Sequence, residues 1–106
     1  PIPQALDLLG PVLPVDNDLH TIRYAPNLTL LLRMEPVPPL PAPGCLRNED
    51  PSAVVGWVAD NHAKQVSGVP GCWTVQASAR FSQQAFDWPD EIIIETMIAD
   101  LARQLA

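Results

Sequence analysis

The stretch GWVADNHAKQVSGVPGCWTVQAS, residues 56–78, reads as two strand-like runs joined by a long connector. The first run is apolar and ends in Asp60 and Asn61; the second begins at Cys72 and carries Gln76. Two such runs in succession predict an antiparallel pair. Side chains alternate between faces along a strand, so Cys72, Thr74, Gln76 and Ser78 share a polar face, opposite apolar Trp73, Val75 and Ala77. A face of that kind is either solvated or lines a cavity. The connector from Asn61 to Gly71 exceeds the about two to five residues usual for hairpin loops, and it holds the chain's single lysine, Lys64. Gly56, inside the first run, predicts a bulge or a close backbone approach.

Outward from this pair, IRYAPNLTLLLRME (22–35) predicts a strand broken once at Pro26, with Leu28, Leu30 and Leu32 on one face and Thr29, Leu31 and Arg33 on the other. PVPPLPAPG (36–44) lacks the N–H donors of a central strand and reads as an extended connector ending in a turn at Gly44. CLRNEDPS (45–52) gives a short strand and a polar turn. At the N-terminus, PIPQALDLLG (1–10) reads as a short helix ended by Gly10, and residues 11–19 as an irregular segment. After Ser78 the period becomes helical. ARFSQQAF (79–86) is a short helix, and a longer one follows from Pro89 at its first position, with Asp90 and Glu91 near its N-terminal dipole. Ile94, Met97, Ile98, Leu101 and Leu105 form the stripe that this helix must bury. Strands in the middle and helices at the ends indicate an α+β fold, with an antiparallel or mixed sheet of about four to six strands and helices packed on one face.

The 106 residues suit one domain, and 47% hydrophobic with 17% charged residues is a globular composition. A formal charge of -6 disfavours nucleic acid and anionic membranes as partners. No apolar stretch approaches the ~18 residues of a membrane span, and no signal peptide is evident, so the expected location is cytoplasmic. A disulfide between Cys45 and Cys72 is left open by the sequence, and that compartment disfavours it.

Several motifs compete with blander readings. Arg33, Pro36 and Pro39 have the R-x-x-P-x-x-P spacing of SH3 ligands, but Arg33 closes a run built for a sheet, which favours a strand end and a stiff connector. Asn27-Leu28-Thr29 is a glycosylation pattern that opens a strand in a chain without secretory signals. His20, His62, Cys45 and Cys72 offer zinc-binding atoms without ligand spacing. The five glycines form no phosphate-binding loop, and no serine sits in a nucleophile elbow.

The opening PIPQA, the pair GWVADNHAK and CWTVQASARFS, and the closing DEIIIETMIADLARQLA resemble the substrate-binding region of bacterial renalase-like flavoproteins, FAD-dependent oxidases related to the amine oxidases. In that family TPAPQA, W-(I/L)-A-x-N-x-x-K and W-(I/V)-L-H-A-(S/T)-x-x-W-S occur in the same order, and the resemblance covers nearly the whole chain. Gln76 stands for the pattern's histidine, Phe81 for its second tryptophan and His62 for its usual arginine. A glutamine exchanges hydrogen bonds but does not titrate.

The resemblance implies a substrate lid over a flavin, in an enzyme that oxidises dihydronicotinamide-type or amine substrates and passes electrons to oxygen. Residues 1–106 would be a single substrate-binding domain excised from a longer flavoprotein. It would be inactive alone and bind no FAD, its partners being the FAD-binding domain of the same polypeptide and a small-molecule substrate. Asn61, Lys64 and Gln76, with Trp57 and Thr74, are the expected substrate contacts. The isolated chain could also pair as a homodimer through its uncovered sheet face. The competing reading is a non-catalytic interaction module that uses the proline-rich connector or that face.

Overall fold

A computed structural model describes residues 2–12 and 18–106. Helix α1 (Ile2–Leu9) runs into a 3₁₀ turn at Gly10–Val12, and a second 3₁₀ turn spans Asp18–Thr21. Residues 13–17 of the segment read as irregular lie outside the described residues. Four strands follow: β1 (Thr29–Arg33), β2 (Cys45–Arg47), β3 (Val55–Asp60) and β4 (Cys72–Ala77). Helices α2 (Ala79–Ala85) and α3 (Asp90–Leu105) close the chain. The strands form one antiparallel sheet in the order β1-β4-β3-β2, an α+β fold. Among the described residues no helix is long and apolar enough to cross a membrane.

The strand expected from Ile22 is shorter than its sequence pattern. The ladder with β4 covers Thr29–Arg33: Pro26 has no N–H, and Leu28 bonds β4 through its carbonyl alone because its N–H donates to the Ser82 hydroxyl (3.1 Å). The proline-rich connector is anchored at points and otherwise exposed. Just before it the Met34 N–H donates to the Gly71 carbonyl (3.0 Å); within it Pro38 and Leu40 are half-buried, while Pro36, Val37, Pro39 and residues 41–43 are exposed. Gly71 has φ +76°, and a Cβ there would lie 2.2 Å from the Met34 carbonyl oxygen. A glycine is what lets the start of β4 pass that close to the end of β1.

Gly56 forms the expected bulge, at a register shift between Val55 and Trp57, and also approaches the Ser78 backbone closely. Val55 lies opposite Ala77, whereas Trp57 lies opposite Gln76. The extra residue changes which face each side chain takes, so Val55 and Val58 both enter the core while Trp57 points the other way. It also takes the Val55 peptide groups out of the ladder. Helix α3 supplies their partners: Asp100 Oδ2 accepts from the Val55 N–H (2.8 Å), and Gln104 Nε2 donates to the Val55 carbonyl (3.0 Å) and to Asp100 Oδ2 (2.8 Å). Asp100 is 4% exposed; its Oδ1 accepts from the Arg103 guanidinium (2.6 Å), which remains largely in solvent.

The core lies between one sheet face and α2 with α3. Val55, Val58, Trp73, Val75 and Ala77 meet Phe81, Ala85, Ile93, Met97 and Leu101, with Leu28, Leu30 and Leu32 at its margin. The Trp88 ring closes edge-on over Phe81, centroids 5.8 Å apart. The buried stripe of α3 is Ile93, Met97, Asp100 and Leu101. This corrects the expected stripe: Ile94 and Ile98 stay 40% and 44% exposed, because the Asp100 clamp on Val55 rolls the helix toward β3. Pro89 caps α3 from one residue outside its first position. Ser78 likewise does not extend the polar face of β4. Its hydroxyl caps α2, accepting from the Phe81 N–H (3.2 Å) and donating to the Ala53 carbonyl (2.7 Å). In the turn before β3, the hydroxyl and N–H of Ser52 hold the Asp50 carboxyl below its ordinary pKa. That interaction favours the folded chain at neutral pH and is lost as acid protonates Asp50.

Two substitutions test this packing. Asp100→Ala leaves the Val55 N–H without a partner in the core and should cost about 2–4 kcal/mol in urea unfolding, whereas Arg103→Ala should cost under about 1 kcal/mol. Equal losses would show that the surface ion pair, not the backbone clamp, is what matters. Gly71→Ala should cost more than about 2 kcal/mol, while Gly68→Ala, with open space around it, should be close to neutral.

Candidate functional site

The sheet face opposite the helices carries side chains in cross-strand rows. Thr29, Gln76, Trp57 and Arg47 form one row; Leu31, Thr74, Ala59 and Cys45 form the next. Arg33 and Cys72 begin a third. Directly opposed residues have Cβ atoms about 5 Å apart, so Trp57 and Gln76 are neighbours, and Thr74 sits diagonally to Trp57. Trp57, Thr74, Gln76, Cys45 and Cys72 are all half-buried, while Leu31 is 75% exposed. Cys45 and Cys72 are free thiols.

Asn61 joins this face at the end of β3. Its Nδ2 donates to Thr74 Oγ1 (3.0 Å), and its backbone N–H donates to the Cys72 carbonyl (2.9 Å). The amide is thereby oriented, and Asn61 Oδ1 is left as an acceptor. The connector after it is built on hydrogen bonds. Asp60 Oδ1 accepts from the N–H groups of His62 and Ala63 (2.8 and 3.1 Å), as an N-cap does at a helix start. The Asn61 carbonyl accepts from Val66 and Ser67, and Gln65 takes the left-handed conformation (φ 59°) that reverses the chain. His62 Nδ1 meets the Ser67 carbonyl at 3.1 Å.

Four of the five expected site residues therefore converge: Trp57 beside Gln76, and Asn61 bonded to Thr74. Lys64 stands apart, exposed in the turn, its backbone N–H on the Asp60 carbonyl and its ammonium without an ion pair among the described residues. Arg33 and Arg47 share the face and were missed as site residues. Arg33 had a signal in the alternation with Thr29 and Leu31; Arg47 had none, because its place beside Trp57 depends on the β2–β3 register. Arg47 approaches Glu49 at 3.7 Å, both largely in solvent, an arrangement of little energetic consequence.

The face offers hydrogen-bond donors and acceptors, an indole and two guanidinium groups, which suits binding and orienting a ligand. It does not suit the dinucleotide of FAD. A pyrophosphate needs free N–H groups at a helix start after a glycine turn. The step from β4 into α2 has Ser78 in that place, and its hydroxyl already takes the Phe81 N–H. Among the described residues no group of three or more His, Cys, Asp or Glu side chains could hold a metal ion. No protein-family model matches the chain, and no curated protein matches it.

Proposed function

We propose that this chain is the substrate-binding domain of a renalase-like FAD-dependent oxidoreductase that oxidises dihydronicotinamide-type or amine substrates with oxygen as acceptor. The observation that carries the reading is the uncovered sheet face. The residues of the family-like motifs, Trp57, Asn61, Thr74 and Gln76, lie together on the one face that the chain's own helices leave open. FAD would be held by another domain of the same polypeptide, since the residues here do not fit its dinucleotide. When bound, the flavin supplies the redox chemistry.

The work of this chain is positional. Trp57 offers a flat apolar surface on which a substrate ring can stack. Gln76, beside it, can both donate and accept a hydrogen bond, and it keeps that ability across the whole pH range because it does not titrate. Thr74 holds the Asn61 amide so that Oδ1 is presented as an acceptor without the entropic cost of ordering a free side chain. The interaction-module reading remains the alternative: Pro36 and Pro39 of the connector are exposed, while Pro38 and Leu40 tie it down as half-buried residues.

In the flavin-replete full-length protein, Asn61→Ala and Gln76→Leu should each lower kcat/KM by about one to two orders of magnitude, with flavin content unchanged. Lys64→Ala should act more weakly, since its ammonium is not joined to the face. Steady-state kinetics within about twofold of the parent for both Asn61→Ala and Gln76→Leu would sink the assignment.

A further inference from the structure

β1 is an edge strand, and the pattern of its hydrogen bonds shows which groups face outward. The Leu28 carbonyl accepts from Ala77 N–H (2.9 Å), and the Met34 N–H donates to the Gly71 carbonyl (3.0 Å). Residues 28, 30, 32 and 34 therefore turn their backbone groups toward β4. By the alternation of an antiparallel ladder, Thr29, Leu31 and Arg33 turn theirs to the free edge. Among the described residues nothing bonds to these groups. Neither flank shields them: residues 24–26 lie beside Gln83 and Phe86, and the connector after Met34 folds over Gly71. Such an edge is normally guarded by shortness, charge, a proline or a bulge; TLLLR has no proline and no bulge, and its one charge, Arg33, sits at its end.

Two clefts lie beside this edge and form its crevice. Leu28 and Leu30 with Ile93, Ile94 and Met97 line the first, and Leu32 and Met34 with Ile98, Leu101 and Leu105 line the second, which is the more apolar. Asp90 lies at the first and Arg33 at the second. The chain exposes 7494 Å², against about 5,800 Å² for a compact monomer of its mass.

We propose that the edge of β1 is the interface for a second copy of this chain, paired antiparallel about a two-fold axis through Leu31. The register is self-complementary. Leu31 meets Leu31 of the other copy, and Thr29 meets Arg33 in both directions, which satisfies all the outward groups with about six hydrogen bonds. On the helix side, Leu30 meets the partner copy's Leu32, and the two α3 helices approach through Ile94 and Ile98. The antiparallel arrangement also brings the Arg33 end of each crevice to the Asp90 end of the other, so the charges at the rims are complementary. On the open face, the exposed Leu31 side chains cover each other.

This inference stands independently of the proposed oxidoreductase role. Sedimentation of the chain from about 1 to 200 µM should give a particle of twice 11.5 kDa at the upper end. Amides of Leu31 and Arg33 should exchange at least about tenfold more slowly in the dimer than in the monomer. Leu31→Lys sets like charges opposite each other at the two-fold axis, and Leu31→Pro removes an edge donor that β4 does not use. Each should raise the dimer dissociation constant at least about tenfold while leaving the far-ultraviolet circular dichroism of the parent. A monomer throughout the range would overturn the proposal. So would a dimer with fast-exchanging Leu31 and Arg33 amides, or one that Trp57→Ser dissociates and neither Leu31 variant does.

Discussion

The fold depends on how the Val55 peptide is paired. A bulge at Gly56 is useful because it admits both Val55 and Val58 to the core and turns Trp57 outward, but it leaves a buried N–H and a buried carbonyl without ladder partners. Groups of that kind cost about as much as several good packing contacts gain if they stay unpaired. Asp100 and Gln104, one turn apart on α3, answer with one acceptor and one donor, as a neighbouring strand would. Their own bond at 2.8 Å holds both side chains in place, so the clamp is satisfied on every side.

That clamp fixes more than one peptide. It sets the depth and roll of α3 on the sheet, and with them the buried line Ile93, Met97 and Leu101. A helix pulled toward β3 cannot also seal the margin of β1. Leu28, Leu30 and Leu32 are therefore only half-covered, and Ile94 and Ile98 remain along the crevice. The open margin is a geometric consequence of satisfying Val55, and it leaves the edge strand and its apolar flank available together.

Much of this was legible in the residues. The β3–β4 pair, the bulge at Gly56 and the alternation of polar and apolar residues along β4 follow from period-two patterning and one glycine. So does the antiparallel α+β architecture. The extent of β1 did not follow, because the Leu28 N–H is diverted to Ser82, fifty-four positions away, and nothing local announces it. The stripe of α3 holds at Met97, Leu101 and Leu105 and differs at Ile94 and Ile98, whose place Ile93 and Asp100 take. Apolar residues at 94 and 98 fit a helical face beside Met97 as well as Ile93 does, and the choice is made by Asp100, a charged residue inside an apolar run. In retrospect an acid with an amide four residues on, both on the core side, is the signal that the helix pairs with backbone. The candidate site residues Trp57, Asn61, Thr74 and Gln76 come from the family resemblance; that Trp57 sits beside Gln76 and Asn61 bonds Thr74 depends on the bulged strand register, which the sequence does not display. The site was not legible for Arg47, whose strand is three residues long, nor for the isolation of Lys64, which depends on how Asp60 caps the turn.

The two uses assigned to this sheet must also be compatible. Pairing through β1 extends the sheet to eight strands and keeps both open faces on the same side. Trp57 lies on β3, two strands in from the edge, so the two indoles would be five strand spacings apart across the sheet, at least about 24 Å. A small ligand on one face would not reach the other, and neither Thr74 nor Gln76 is drawn into the interface. Only Thr29, Leu31 and Arg33 are common to both, and of these Arg33 carries charge. Its side chain starts from the open face but its backbone groups belong to the edge, so pairing would order the strand beneath it and leave the guanidinium free to turn toward a ligand or toward the crevice. The edge and the face are thus separate surfaces of one sheet, divided by the backbone direction of a single strand.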